Sequence, residues 1–273
     1  MAVLLALSSS LLWGWSDFLG GTLSRRVPAA TVVALSQSVA LLSLVPLVVL
    51  LGDRPDSLLP GLAAGLAGAV GLGAFYAALA AGTMGVVAPI AATGATLPVV
   101  VGLVQGEEPA LLQGVGIVLA LLGVVLASGP ELSGGAAARP LLLAMLAACG
   151  FGTVMALVAE GSEGPSGAVL TTMLLLRVTE VGAVAPVALR RGLGDWRAVV
   201  PLLGLIGIVD VSANVCFAYA SRSGLLSVVA VLGSLYPVVT VLLARQLHGE
   251  RLARVQVAGV VGTLAGVGLI AGA

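Results

Sequence analysis

The sequence contains no lysine, one histidine and two cysteines among its 273 residues. Charged residues make up only 9% of the chain, whereas about a quarter of the residues of a soluble domain are charged. The formal net charge is zero and no dense basic patch is present, so a nucleic-acid partner is not expected. Cys149 and Cys216 lie in apolar stretches without metal-ligand spacing, which indicates free thiols.

Signatures of catalysis and nucleotide binding are missing as well. His248 ends an apolar stretch beside Gly249-Glu250, and no catalytic triad or metal-ligand set can be assembled around it. The sequence has no phosphate-binding or dinucleotide-binding loop, so we expect neither ATP nor another cofactor. These absences predict a protein that is not an enzyme.

Apolar and small residues fill the chain instead. Hydrophobic residues account for 59% of it, 38 residues are glycine, and the mean hydropathy is +1.18. Small residues let helices approach closely inside a membrane, and about 20 apolar residues cross the ~30 Å hydrocarbon layer. We therefore predict an all-α polytopic membrane protein with ten transmembrane helices. The ten segments are 2–22, 30–51, 61–81, 84–105, 110–128, 141–159, 167–189, 200–220, 225–247 and 254–272.

An internal repeat divides the chain into two parts. The second part contains Val228-Val229-Ala230 and Gly249-Glu250, and the first contains Val86-Val87-Ala88 and Gly106-Glu107, with offsets of 142 and 143 residues. We predict two five-helix repeats, 1–130 and 131–273. Because five crossings are an odd number, the repeats would have inverted topology, which places a binding site between them and suits alternating access.

Ionisable residues lie near the middle of two predicted segments. Arg177 is the eleventh residue of the seventh segment and Asp210 the eleventh of the eighth. Glu180 shares a helix face with Arg177, and Asn214 shares one with Asp210. Charges at this depth are costly, so these four residues are candidates for binding a substrate or an ion. An ion pair that only neutralises itself and locks the helices together is the alternative.

The first repeat offers milder candidates. Gln37 occupies the position equivalent to the central arginine but carries no charge. Asp17 follows Trp13 and Trp15 near the end of the first segment, a pattern typical of the membrane interface. We favour this interfacial interpretation for Asp17, although Asp17 is kept as a binding candidate. In the alternative interpretation, both tryptophans and Tyr76 line a cavity.

Prolines interrupt the fourth and ninth segments, at Pro89, Pro98 and Tyr236-Pro237. Proline removes a backbone donor and kinks a helix, which frees carbonyl groups toward a cavity or a hinge. Tyr236 is therefore a further binding candidate, although a kink that serves packing alone would produce the same pattern.

The repeated Gly-Glu pairs have a structural interpretation. Glu107 and Glu250 can favour the positive N-terminus of the helix that follows each of them. Gln113 and Gln256, six residues later, can form hydrogen bonds across helices. We assign these four residues to the scaffold.

The order of the motifs resembles a known family. The pattern between Val228 and Gly259, together with Trp13-Gly14-Trp15 and Gly106-Glu107, is similar to the EamA-type family of the drug/metabolite transporter superfamily. The resemblance covers nearly the whole chain as two tandem repeats. It implies a ten-helix inverted-repeat secondary transporter, often an exporter of amino acids or other small metabolites.

Arginines bear on the orientation in the membrane. The odd-numbered loops hold nine arginines and the others only Arg54 and Arg222, so the positive-inside rule places both termini outside. The family resemblance implies cytoplasmic termini in the inner membrane. We adopt the latter expectation because the family shares its fold, whereas charge bias is statistical.

We expect a secondary active transporter of a small polar or amphipathic metabolite, with protons as the candidate coupling ion through Asp210 or Glu180. Its expected partners are this substrate and the lipid bilayer, and glycine-rich helix faces are compatible with a monomer or an oligomer. An uncoupled facilitator is one alternative. A non-transporting membrane scaffold, with a solid interface between the halves, is another.

Overall fold

The structure, a computed structural model, describes residues 1–51, 57–132, 138–163, 168–248 and 253–272, and helices are the regular structure of these ranges. Each of the ten predicted segments falls on one helix or, for the fourth and ninth, on two consecutive helices. The helices are α1 (Ala2–Ser24), α2 (Ala29–Leu51), α3 (Leu59–Ala81), α4 (Met84–Ala92), α5 (Thr96–Val104), α6 (Leu111–Leu132), α7 (Ala138–Gly161), α8 (Val169–Arg191), α9 (Val200–Ser221), α10 (Leu226–Gly233), α11 (Tyr236–His248) and α12 (Arg254–Gly272).

The outer surface of the bundle is apolar, as lipid requires. Within the described ranges, eight helical stretches are long and apolar enough to cross a membrane, and α6 adds the shorter stretch Leu111–Gly123. Large side chains such as Leu50 and Val104 are 79% and 82% exposed, which would be unfavourable in water but is natural in a bilayer. The all-α polytopic class is confirmed, and the number of ten crossings stays a prediction.

Two of the membrane stretches consist of broken helices. A 3-10 turn, Thr93–Ala95, separates α4 from α5, and a two-residue turn at 234–235 separates α10 from α11. Pro98 and Pro237 lie in the first turns of α5 and α11, where a backbone N–H needs no acceptor inside the helix. Pro89 lies inside α4, so only the interruptions near Pro98 and Pro237 coincide with a short turn between two helices. Discontinuous helices in corresponding parts of two halves are typical of transporter binding sites.

Glycines join the two halves backbone to backbone. A Cβ atom on Gly65 of α3 would lie 2.4 Å from the carbonyl oxygen of Leu176 in α8. A Cβ atom on Gly207 of α9 would lie 2.1 Å from the carbonyl oxygen of Ser36 in α2. Gly65 and Gly207 are 142 residues apart, which is the offset of the sequence repeat. The two halves thus make the same close contact with each other twice.

The helix breaks also rest on glycines. A Cβ atom on Gly152 of α7 would lie 2.3 Å from the carbonyl oxygen of Gly94, in the turn between α4 and α5. A Cβ atom on Gly14 of α1 would lie 2.8 Å from the carbonyl oxygen of Tyr236, at the start of α11. The hydroxyl of Thr240 donates to the carbonyl oxygen of Gly14 at 3.2 Å. Helices α1 and α7 therefore hold the two breaks in place.

Glu107, in the loop between α5 and α6, connects the halves at one end of the bundle. Its carboxylate accepts hydrogen bonds from the backbone N–H groups of Leu226 and Ser227, the latter at 2.9 Å. These residues form the first turn of α10, so Glu107 caps α10. The sequence instead predicts that Glu107 favours the N-terminus of α6, the helix that follows it in the chain. The predicted cross-helix bond of Gln113 is also replaced, because Gln113 accepts from the N–H of Ala110 at 3.0 Å.

The second copies of these motifs are not part of the described structure. Gly249 and Glu250 lie outside the described residues, as do residues 133–137 of the linker between the halves and the side chain of Gln256. The scaffold role of Glu250 and Gln256 stays a prediction.

Replacing Glu107 with alanine should lower the free energy of unfolding by about 1–2 kcal/mol, because two N–H groups of α10 lose their acceptor. Thermal unfolding of the purified protein in detergent measures this loss. Glu108→Ala is the matched control, since Glu108 is the next residue of the same loop and is exposed. Equal melting temperatures for the two variants would show that the cap contributes nothing.

Candidate functional site

Arg177 is the centre of a buried charge cluster between α8 and α9. Its Nη1 donates to Oε2 of Glu180 at 2.6 Å and its Nη2 donates to Oδ2 of Asp210 at 2.7 Å. Asn214 donates from Nδ2 to the backbone carbonyl of Asp210 at 2.9 Å. None of these four residues is more than 6% exposed. The structure therefore brings together the four candidates of the second repeat.

Helical spacing within α8 and α9 explains this geometry. Glu180 follows Arg177 by three residues, so both side chains leave α8 on one face. Asp210 and Asn214 share a face of α9 in the same way. One guanidinium thus bridges two helices through two carboxylates, an arrangement in which removing the cation leaves two buried acids without a partner.

A cavity opens beside this cluster, with about 70 Å³ in which the centre of a water molecule fits and about 550 Å³ of space between atoms when the part open to solvent is included. Helices of both halves form its wall, namely α1 and α3 from the first and α7, α8, α9 and α11 from the second. The lining residues are Trp13, Asp17, Gly68, Leu72, Phe151, Val154, Met155, Leu176, Arg177, Glu180, Asp210, Asn214 and Tyr236. An apolar wall with a few converging polar groups is the usual form of a small-molecule site.

Asp17 belongs to this cavity. Its side chain is 4% exposed, lines the cavity and lies within electrostatic range of Asp210. The structure thus places Asp17 in the cavity wall rather than on the exposed surface of α1. The structure shows no ion pair or hydrogen bond to its carboxylate from the residues it describes.

Aromatic rings form one side of the cavity. The ring centroids of Phe75 and Phe151 are 5.2 Å apart, and those of Phe151 and Tyr236 are 6.4 Å apart, both in edge-to-face geometry. Trp13 packs against Phe217 with a centroid distance of 5.7 Å. The hydroxyl of Tyr236 is buried without a hydrogen-bond partner in the described part of the chain. Trp13 and Tyr236 are thus cavity residues, as one of the sequence interpretations expects.

Three binding-site candidates from the sequence do not line the cavity. Trp15 is 49% exposed on the outer surface, so it does not line the cavity and fits the membrane-facing interpretation. Tyr76 is fully buried, and a Cβ atom on Gly20 would lie 2.1 Å from its ring. Gln37 is also fully buried, and neither of its amide atoms has a hydrogen-bond partner among the described residues. Neither Tyr76 nor Gln37 is among the residues that line the cavity.

Six lining residues are not among the candidates from the sequence, namely Gly68, Leu72, Phe151, Val154, Met155 and Leu176. Phe151 is the repeat equivalent of Trp15, and this alignment is the signal that could have found it. Gly68 has a steric role, since a Cβ atom there would lie 3.2 Å from Oε1 of Glu180. In the described ranges, no group of three or more His, Cys, Asp or Glu residues has the arrangement of a metal site.

Comparison with known proteins explains this architecture. The sequence matches the model of the EamA-like transporter family over residues 1–129 and 138–272. The chain belongs to the EamA-like transporter family. The apolar helices and the family together make the EamA-like chain a multi-pass integral membrane protein, and members of this family are transporters. The family predicted from the sequence is confirmed.

The fold of the EamA-like protein is also found among solved structures. One of them, described only as "Crystal structure of protein", is 18% identical in sequence and superposes with a TM-score of 0.70. The match covers 98% of this chain and 95% of the chain in that structure. At this identity the similarity shows the fold alone. No curated protein sequence matches the chain.

Proposed function

We propose that this protein is a secondary active transporter that moves small polar or amphipathic metabolites across the inner membrane by alternating access. The observation that carries the proposal is the cavity, which lies between the halves and contains the buried cluster around Arg177. Family membership supports it, and so does the pair of helix breaks, one of which places Tyr236 in the cavity wall.

Protons are the proposed coupling ion. Glu180 and Asp210 each accept one arm of the Arg177 guanidinium, so a proton on either carboxylate weakens one of the two charge-assisted bonds. Asp210 lies on α9, which packs closely against α2 at Gly207. Protonation of Asp210 would therefore weaken the contact between α8 and α9. It would also change the packing of α9 against α2 of the first half.

Replacing Asp210 with asparagine should abolish proton coupling while keeping a side chain of the same size. Proteoliposomes that contain a pH-sensitive dye are given a mixture of amino acids and amines from outside, and metabolites inside are measured by mass spectrometry. For the wild type we expect metabolite uptake in exchange for internal protons, with alkalinisation of the interior beyond that of protein-free liposomes, into which neutral amines diffuse. Asp210→Asn should lose this additional pH change, and Asp195→Asn, an exposed loop substitution, should keep it.

The alternatives predict other outcomes of this assay. Uptake without this additional pH change in the wild type would indicate the uncoupled facilitator, in which Arg177 and Asp210 only pair. Absence of uptake for every metabolite would favour the scaffold. An unchanged pH response in Asp210→Asn would remove Asp210 from the coupling mechanism.

A further inference from the structure

The cavity holds more acidic than basic groups. Among the described residues that line it, the carboxylates are Asp17, Glu180 and Asp210, and the cation is Arg177. With all four groups ionised, the site carries two negative charges in excess. An unbalanced charge in a membrane interior is costly, so the site has room for a positively charged occupant.

Arg177 is not available to an incoming anion. Both of its terminal nitrogens donate to carboxylates at 2.6 and 2.7 Å. Its Nε is buried and has no hydrogen-bond partner in the described structure. A substrate carboxylate would therefore have to displace Glu180 or Asp210 from the guanidinium.

Asp17 is the carboxylate of the cavity that can accept a hydrogen bond from a ligand without displacing Arg177. It is the carboxylate of the cavity that Arg177 does not bind, and it lies on α1, whereas the Arg177 cluster lies on α8 and α9. The rings of Trp13, Phe151 and Tyr236 line the same cavity, and aromatic faces attract organic cations. A carboxylate beside aromatic faces is a recognition site for an ammonium group attached to an apolar body.

We propose that the transported substrate is a monocationic amine with an apolar body and no carboxylate, and that its ammonium group binds Asp17. This inference rests on the proposed transport function and names the substrate class of the same cavity. The amine donates to the Asp17 carboxylate, its apolar part packs against the aromatic rings, and Arg177 keeps its two acidic partners.

Protons compete with the amine for Asp17. The titratable and charged groups that surround it are Asp210 from α9, the pair of Arg177 and Glu180 from α8, and the hydroxyls of Tyr76 and Tyr236 from α3 and α11. Helices α2 and α10, which also pack on α1, carry no titratable residue. Because both bind the same carboxylate, amine binding at Asp17 weakens as the pH falls, while the proposed coupling group remains Asp210.

A set of ligands with one phenyl body tests the charge preference on the wild-type protein. The ligands are 2-phenylethylamine, which is cationic near neutral pH, neutral 2-phenylethanol, anionic 3-phenylpropionate and zwitterionic phenylalanine. Thermal unfolding and titration calorimetry of the full chain in detergent are the measurements. We expect the amine to raise the melting temperature and to bind at least about tenfold more tightly than the alcohol.

Three results would overturn this inference: equal stabilisation by the alcohol or the anion, stronger stabilisation by phenylalanine than by the amine, or no stabilisation by any ligand of the set. Amine binding without metabolite uptake in proteoliposomes would support the site and count against transport. Uptake of neutral or anionic metabolites without amine binding would support transport and overturn the substrate class.

Variants connect the preference to Asp17. Asp17→Asn should reduce the advantage of the amine over the alcohol to less than about twofold, because a neutral amide gives no charge-assisted bond. Glu160→Gln, at the exposed end of α7, should keep the full preference. An unchanged preference in Asp17→Asn would exclude Asp17 as the binding group, and the wild-type comparison stands if this variant does not fold.

Discussion

Replacing Arg177 with glutamine should lower the free energy of unfolding by about 3–5 kcal/mol, because Glu180 and Asp210 would both remain buried without their cation. Glutamine is the informative replacement, since Gln37 occupies the equivalent position in the first half and is fully buried there. The expected result is a protein that is poorly folded or has a much lower melting temperature in detergent.

A charge-neutral triple variant separates the loss of the ion pairs from the loss of packing. Arg177→Gln combined with Glu180→Gln and Asp210→Asn removes all three charges but keeps polar side chains of similar size. We expect this variant to recover most of the stability that the single change loses, because no uncompensated charge remains buried. A single variant as stable as the wild type would show that the ion pairs do not hold α8 and α9 together.

Replacing Gly207 with alanine should cost about 3 kcal/mol or more, although it adds a single methyl group. The new Cβ atom would lie 2.1 Å from the carbonyl oxygen of Ser36, and a backbone atom can move away only if α2 and α9 separate. Gly65→Ala should have the same effect on α3 and α8, where the distance is 2.4 Å. Melting temperatures in detergent measure both.

Gly204 provides the control in the same helix. A Cβ atom on Gly204 meets nothing within 4 Å, so Gly204→Ala should be neutral or should stabilise α9 by up to about 1 kcal/mol. If Gly204→Ala and Gly207→Ala destabilise the protein equally, the close approach of α2 and α9 does not determine stability.

The membrane segments and the charge cluster could be predicted from the sequence for simple physical reasons. An apolar run of membrane length has one stable form in lipid, a helix. Arg177 and Asp210 lie at the centres of their segments, and three- and four-residue spacing puts Glu180 and Asn214 beside them. These properties depend only on residues of the same helix, so they do not depend on how the helices pack against one another.

The rotation of α1 about its own axis could not be predicted. In a soluble helix the polar face marks the side that faces water, but in a membrane both the lipid-facing and the buried sides are apolar. The sequence therefore does not show whether Asp17 or Trp15 points inward. The structure places Asp17 at the cavity and leaves Trp15 49% exposed.

The partner of Glu107 could not be predicted for a related reason. A carboxylate after a glycine turn fits the start of the next helix, and nothing in the local sequence indicates that α10, more than 100 residues away, presents its N–H groups at the same place. The helix breaks are similar, since Pro98 and Pro237 permit a new helix to begin but do not require the previous one to end.

The paired glycine contacts have a consequence for how the chain is made. Gly65 makes its close contact with α8, and Ser36 is approached by Gly207 of α9, so the first half enters the membrane before either of these contacts can form. Both contacts are missing until translation has delivered the second half. Assembly of the bundle is therefore a late event in biosynthesis, and premature termination after the first half would leave a product that cannot complete its own packing.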